Sequence, residues 1–152
     1  VAVLDFKERG DAACVRRLAD RFPGAWLEDP PLGLRETPAD LRERLVRDMP
    51  VRCAADVDRL AAGCGAINLK APRMGGVLAL LAALERADAL GLEAYLGGMF
   101  EVDVGRAQAR QLAALFTGGA RNDLAPIPRP GDPPPQASPL AIPLDGHGFG
   151  AP

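Results

Sequence analysis

The sequence predicts an α/β fold, a partial (β/α)8 barrel built on parallel strands. Short apolar runs closed by polar residues alternate with stretches of helical periodicity. Strands that alternate with helices need crossover connections, which make the strands parallel. The repeating unit is short and even, which favours a barrel over an open nucleotide-binding sheet. Eight such units need about 250 residues, so the 152 residues of this chain hold only five or six of them.

The strands and helices follow one another in order along the first 124 residues. Asp11 and Pro23-Gly24 bound the first predicted helix, and Thr37 is the predicted N-cap of a second helix that ends near Arg44. Asp103 is the predicted cap of the last helix, and a weak strand is expected at 122–124. Strands are predicted at 1–5, 25–28, 45–48, 66–70 and 92–96, and helices at 11–22, 37–44, 54–62, 77–90 and 103–116.

The ends of the chain differ from the rest. The sequence opens inside an apparent strand without an initiator Met, so we expect an N-terminally truncated frame or an excised fragment. Proline and glycine dominate the other end. We therefore predict a partial barrel domain at 1–125 and an irregular Pro/Gly-rich tail at 126–152.

Composition excludes several classes of function. Lys plus Arg (18) nearly balance Asp plus Glu (20), so no basic field is available for nucleic acid. The longest apolar stretch, 77–84, is too short to cross a membrane, and no signal-like segment opens the chain, so a cytoplasmic protein is expected. Cys14, Cys53 and Cys64 form no CxxC pair and His147 stands alone, which leaves no zinc ligand set and favours free thiols.

Four charged residues close successive predicted strands. Asp5, Glu28, Asp48 and Lys70 are separated by 23, 20 and 22 residues, about one strand and helix each. In a (β/α)8 barrel such residues converge on the mouth where chemistry is done. Three converging carboxylates repel one another and supply the hard oxygen ligands that Mg²⁺ favours. Spacing alone also allows the other interpretation, in which these acids are helix caps or solvated loop charges.

Lys70 likewise has two interpretations. It is either an ordinary solvated or salt-bridged lysine, or a group that exchanges a proton with a carbon acid. In the second case a metal would stabilise the resulting enediolate.

The segments around these residues resemble the enolase superfamily, in particular the mandelate racemase and muconate-lactonizing type. The resemblance covers residues 1–125 and part of the tail. Its motifs are Val-Leu-Asp5-Phe-Lys, Ala-Trp-Leu-Glu28-Asp-Pro-Pro, Asp48-Met-Pro-Val-Arg, Ile67-Asn-Leu-Lys70-Ala-Pro-Arg-Met-Gly-Gly76, Gly97-Gly98-Met99-Phe100-Glu101 and Gly146-His-Gly-Phe-Gly150.

The resemblance implies that this chain contains about the third to the eighth strands of the family barrel. It also implies roles for specific residues. Asp5, Glu28 and Asp48 would bind Mg²⁺ or Mn²⁺, and Lys70 would transfer a proton alpha to a carboxylate through a metal-stabilised enolate. It further implies a lyase, isomerase or cycloisomerase, a small carboxylate-bearing substrate, and a homo-oligomer at full length.

This chain departs from the family pattern at several positions. Lys7 stands where the family usually has Asn, and Met49 where it has Glu. The family's other acid/base lysines and its capping domain lie upstream of Val1. The alternative is therefore a non-catalytic fragment or pseudoenzyme that keeps the barrel, with or without the metal site. A third candidate is a phosphate-binding (β/α)8 enzyme of another family, which would need loops that bind phosphate through their backbone after the last strands. Arg73 and Glu101 are further candidate contacts to substrate.

Overall fold

Five short parallel strands form one sheet in the computed structural model, which describes residues 3–33 and 36–124. Their spatial order is the same as their order in the chain, and neighbouring strands are parallel. This arrangement confirms the predicted α/β class and the partial barrel. The strands are β1 (Val3–Asp5), β2 (Trp26–Glu28), β3 (Leu45–Arg47), β4 (Ala66–Leu69) and β5 (Glu93–Leu96). The weak strand predicted at 122–124 is reduced to one parallel bridge between Gly97 and Asp123.

Helices connect the strands and cover one face of the sheet. The first begins because the Asp11 carboxylate accepts a hydrogen bond from the backbone N–H of Cys14 at 2.7 Å. The last begins at Asp103 itself, with Val102 at the cap position, so Asp103 is not the cap. The α-helices are α1 (Ala12–Arg21), α2 (Ala54–Leu60), α3 (Ala71–Met74), α4 (Val77–Ala89) and α5 (Asp103–Thr117), and α2 continues as a 3₁₀ turn at Ala61–Gly63.

The prediction of a helix at 37–44 is wrong. The Thr37 hydroxyl donates to the carbonyl oxygen of Gly33 instead of capping a helix, and only a 3₁₀ turn forms at Arg42–Arg44. The chain has to extend into β3 directly after Arg44. The Arg44 guanidinium donates to the carbonyl oxygen of Ala25 and to others at the end of α1, which fixes this segment to α1 without helical hydrogen bonds.

The two faces of the sheet carry two separate apolar clusters. Side chains alternate along each strand, so one set points toward the helices and the other toward what would be the inside of a barrel. The outer set includes Leu27, Leu45, Ile67, Leu69 and Leu96 and packs against the helices. The inner cluster is small and consists of Val46, Ala66 and Tyr95, with Trp26 and Ala120 against it.

Some predictions fall where the structure gives no description. The tail at 126–152, with the glycine-rich segment 146–150 and His147, lies outside the described residues, and the domain boundary at residue 125 stays a prediction. Cys14, Cys53 and Cys64 are free thiols, as expected. Across 3–33 and 36–124, none of the helices is long and apolar enough to span a bilayer.

Replacing Gly65 by Ala should destabilise the fold. Gly65 lies just before β4, and a Cβ there would come within 2.8 Å of the backbone Cα and carbonyl carbon of Glu43. Because that neighbour is main chain, it cannot rotate away, and we expect a loss of about 1–3 kcal/mol in the free energy of unfolding. Urea denaturation followed by circular dichroism measures it.

Gly24→Ala is the matched control, because a Cβ at Gly24 would meet nothing within 4 Å. Its unfolding midpoint should equal that of the unmodified protein or lie slightly above it. Equal midpoints for both variants would show that Gly65 is not closely packed.

Candidate active site

The four charged residues singled out in the sequence lie at one edge of the sheet. Asp5 and Glu28 are the last residues of β1 and β2 and are direct partners in the parallel register. Asp48 follows β3 and Lys70 follows β4 without an intervening residue. Because all five strands are parallel, their carboxyl ends form a single edge. The structure therefore brings the predicted site residues to the same side of the molecule.

Asp48 is the centre of a buried ion cluster. Its Oδ2 lies 2.9 Å from the Lys70 ammonium, and its Oδ1 lies 2.7 Å from Nη1 of Arg73, which is on α3. The same guanidinium nitrogen also donates to the Asp48 carbonyl oxygen at 2.6 Å. The Asp48 carboxylate is 1% exposed and the Lys70 side chain 7%, so these charges are compensated by each other and not by water.

Glu28 is buried with a different type of partner. Its Oε2 accepts a short hydrogen bond from the Tyr95 hydroxyl, and its Oε1 lies 3.5 Å from the Asn68 amide nitrogen. Burial is the main cause that raises the pKa of Glu28 to about 7. The carboxylates of Asp48 and Asp5 act in the same direction, whereas the hydrogen bond from Tyr95 lowers it. Glu28 is thus close enough to the other two carboxylates to feel their charge.

Asp5 is the most exposed of the three carboxylates. It forms an ion pair with the Lys7 ammonium, and its Oδ1 accepts the Lys7 backbone N–H at 3.0 Å. The hydrogen bond to Asp5 is the main cause that raises the pKa of Lys7, and the charges of Asp48 and Glu28 contribute. Lys7 is therefore a salt-bridged residue that lies in the electrostatic field of all three carboxylates.

Two residues that position the site were not predicted from the sequence. Asp29 is buried, and its two oxygens accept the backbone N–H groups of Asp48 (3.0 Å) and Met49 (2.7 Å). Arg47 is buried on the outer face and donates to the carbonyl oxygens of Pro30 and Leu32 at 3.3 and 2.8 Å. Together they fix the loops that follow β2 and β3. Neither contact has a signature in the spacing or periodicity of the sequence.

Tyr95 and Asn68 were also missed, although the strand period gives a signal for them. Asn68 is two residues before Lys70 and so lies on the same face of β4. Tyr95 is the register partner of Asn68 on β5. The alternation of side chains along β4 therefore identifies Asn68 as an inner-face residue, and its register partner on β5, Tyr95, lies on the same face.

Gly97, after β5, leaves the space that Lys70 occupies. A Cβ at this position would lie 2.5 Å from the Lys70 Cε and 3.0 Å from the Asn68 Cγ. Glu101, a candidate substrate contact in the sequence, instead accepts the Met99 backbone N–H at 2.8 Å. Arg73, the other candidate, binds Asp48 as described above.

The donor chemistry of Asp5, Glu28 and Asp48 fits a divalent cation, because all three offer carboxylate oxygens and repel one another at a shared edge. In the present arrangement their oxygens are engaged by Lys7, Tyr95, Lys70 and Arg73. Within 3–33 and 36–124, no group of three His, Cys, Asp or Glu side chains is arranged as a metal site. The metal role of these residues stays a prediction.

Comparison with known proteins identifies similar sequences and folds. Residues 3–128 match the family described as Domain of unknown function (DUF8230) C-terminal domain. The chain is 37% identical to an o-succinylbenzoate synthase of Enterococcus faecalis over 92 residues, which cover 59% of this chain and 25% of that protein.

Solved structures of the enolase superfamily share the fold. One is an unknown member of that superfamily from Enterococcus faecalis V583, with a TM-score of 0.68 and 29% identity over 81% of this chain and 36% of that one. Another is a dipeptide epimerase from Methylococcus capsulatus complexed with Mg and the dipeptide L-Arg-D-Lys, with a TM-score of 0.60 and 27% identity over 68% and 31% of the two chains. The chain spans about a quarter to a third of the length of these relatives.

Removing the Asp48 charge should be far more costly than removing an exposed partner. Asp48→Asn leaves the buried Lys70 ammonium and the half-buried Arg73 guanidinium without their counter-charge, so we expect a loss of about 3–5 kcal/mol in the free energy of unfolding. Urea denaturation measures it, with Asp40→Asn as the control because the Arg16–Asp40 pair is exposed. The control should change stability little, and an equally small effect of Asp48→Asn would mean that the cluster is solvated.

Proposed function

We propose that this chain, which belongs to the family described as the DUF8230 C-terminal domain and to the enolase superfamily, contributes to a catalytic site. That site transfers a proton alpha to a substrate carboxylate. The observation that carries this proposal is the buried Lys70 ammonium at the strand edge that also bears Asp5, Glu28 and Asp48. Since the chain spans only part of its relatives, the reaction is proposed for the whole protein that contains this site.

Lys70 is the proposed acid/base. Its Nζ is held by Asp48 at 2.9 Å, and the absence of a Cβ at Gly97 gives its side chain room. As the neutral amine, a lysine so placed could accept the proton alpha to a carboxylate and become the ammonium, and as the ammonium it could return that proton, provided that the substrate approaches from the same edge. Arg73 fixes the Asp48 carboxylate from the other side and so determines where the Lys70 ammonium can lie.

Asp5, Glu28 and Asp48 are the proposed ligands of Mg²⁺ or Mn²⁺. When bound, such an ion would supply the positive charge that stabilises an enolate. The raised pKa of Glu28 supports this assignment, because burial and the charges of Asp48 and Asp5 make an ionised Glu28 unfavourable unless a cation lies beside it.

The proposed substrate is a small molecule that carries a carboxylate. Support comes from the relatives: one is an o-succinylbenzoate synthase, and another binds a dipeptide. Both names describe compounds with a carboxylate. Among the family's reactions, epimerisation, dehydration and cycloisomerisation all remain candidates.

The second candidate function is a non-catalytic member of the family. It is favoured by the engagement of both Asp48 oxygens with Lys70 and Arg73 and by Met49, which stands where the family usually has a second acid. In this case the cations neutralise Asp48 permanently, and the edge is a structural ion cluster. Metal binding and proton exchange distinguish the two candidates.

Glu28→Gln should abolish binding of Mg²⁺. The amide keeps the size of the side chain and an acceptor for Tyr95 but removes the negative charge that a cation requires. Isothermal titration calorimetry of the purified protein with Mg²⁺ measures the change. Glu85→Gln, on the exposed face of α4, is the control and should bind as the unmodified protein does. Unchanged affinity in Glu28→Gln would remove Glu28 from the site.

Lys70→Ala should leave Mg²⁺ bound and stop exchange of the substrate alpha hydrogen. The measurement is proton NMR in D₂O with a panel of dipeptides, such as the L-Arg-D-Lys bound by the epimerase from Methylococcus capsulatus, and of succinylbenzoates. Arg59→Ala, which removes an exposed cation on α2, should exchange normally. Continued exchange by Lys70→Ala would assign the acid/base role to another group. A lack of exchange by the unmodified protein with every compound would favour the non-catalytic candidate.

A further inference from the structure

Tyr95 reaches across the sheet to the carboxylate of Glu28. The two residues lie on β5 and β2, with β3 and β4 between them. The intervening inner-face residues, Val46 and Ala66, are small and pack against Tyr95 in the inner cluster. The phenol can therefore lie over them and place its hydroxyl on Glu28 Oε2. A larger side chain at either position would block this path.

The Tyr95 ring is held firmly in that place. It is fully buried, and the Trp26 ring lies beside it at 5.3 Å between centroids, with an angle of 31° between the ring planes. Aromatic pairs of this kind contribute beyond the area that they bury. The hydroxyl position is thus determined by packing on three strands and not by the hydrogen bond alone.

A phenylalanine would satisfy the packing equally well. A hydroxyl buried in an apolar cluster costs free energy unless it is hydrogen-bonded. The presence of the hydroxyl therefore indicates that its hydrogen bond has a role. The Tyr95 hydroxyl donates its hydrogen bond to Glu28 Oε2. A carboxylate oxygen has two lone pairs, and one donor occupies only one of them. The bond fixes the carboxylate rotamer and leaves acceptor capacity on both oxygens.

We propose that Tyr95 is a positioning residue, which holds the Glu28 carboxylate in the orientation that a divalent cation requires. This inference rests on the proposed function, because it assumes that Glu28 is a metal ligand. Groups that orient ligands in this way typically change metal affinity about 10–100-fold when they are removed. Tyr95 acts through Glu28 and does not itself contact the reacting atoms.

The test compares Mg²⁺ binding by the unmodified protein, Tyr95→Phe and Trp26→Phe in calorimetry, with thermal unfolding in EDTA measured for each. Tyr95→Phe should bind about 10–100-fold more weakly at a similar unfolding temperature. Trp26→Phe removes bulk from the same cluster but keeps an aromatic ring beside Tyr95 and leaves the hydroxyl, so its affinity should fall by much less than that of Tyr95→Phe. An equal loss in both variants, or an unchanged or increased affinity in Tyr95→Phe, overturns the inference and leaves the metal site intact. If the unmodified protein binds neither Mg²⁺ nor Mn²⁺, both the inference and the metal part of the proposed function fail.

A second measurement applies even if Tyr95→Phe does not fold. Tyr95 is the single tyrosine of the chain, so biosynthetic 3-fluorotyrosine labels this position alone. Its ¹⁹F resonance should shift saturably with Mg²⁺, with the dissociation constant found by calorimetry. A resonance that does not move while calorimetry shows binding would mean that Tyr95 is independent of the ion.

Discussion

The parallel register of five very short strands determines where every charge of the site lies. Each strand has only three or four residues, so its last residue is never far from the loop that follows. Asp5 and Glu28 are direct register partners, and like charges on neighbouring strands repel each other. The fold therefore has to hold an accumulation of carboxylates at one edge, and the surrounding contacts make that possible.

The edge stabilises the buried carboxylates of Asp48 and Glu28 by different means. Asp48 receives two cations, Lys70 and Arg73, at ion-pair distance. Glu28 receives neutral donors, and its pKa is raised to about 7 chiefly by burial. The negative charge least compensated by the protein is thus on Glu28. An added cation would gain most there, so on the proposed function we expect the orientation of Glu28, set by Tyr95, to influence metal binding more than that of the already neutralised Asp48.

The sequence predicted the strands and the shared edge well because period and spacing carry that information. It failed where a distant contact overrides local preference. Thr37 and Pro38 favour a helix start, but Arg44 binds the end of α1 and the chain extends into β3. The four-residue helix α3 is too short to show a period. The Tyr95–Glu28 bond spans four strands, and its existence depends on the size of the side chains between them, which spacing does not encode.

The two candidate functions differ in what happens at Asp48. A carboxylate offers about four lone pairs, and two of them are used by Lys70 and Arg73. A cation shared with Glu28 would compete with the Lys70 ammonium for the same negative charge, so metal binding would loosen the contact that holds the proposed acid/base. In a catalytic protein Arg73 would keep Asp48 in place, and the Lys70 ammonium would be freer to move toward a substrate. In a non-catalytic protein the three-residue cluster is the final state. On the proposed function, the strength of the Lys70–Asp48 pair relative to the Arg73–Asp48 pair would therefore decide between the two candidates.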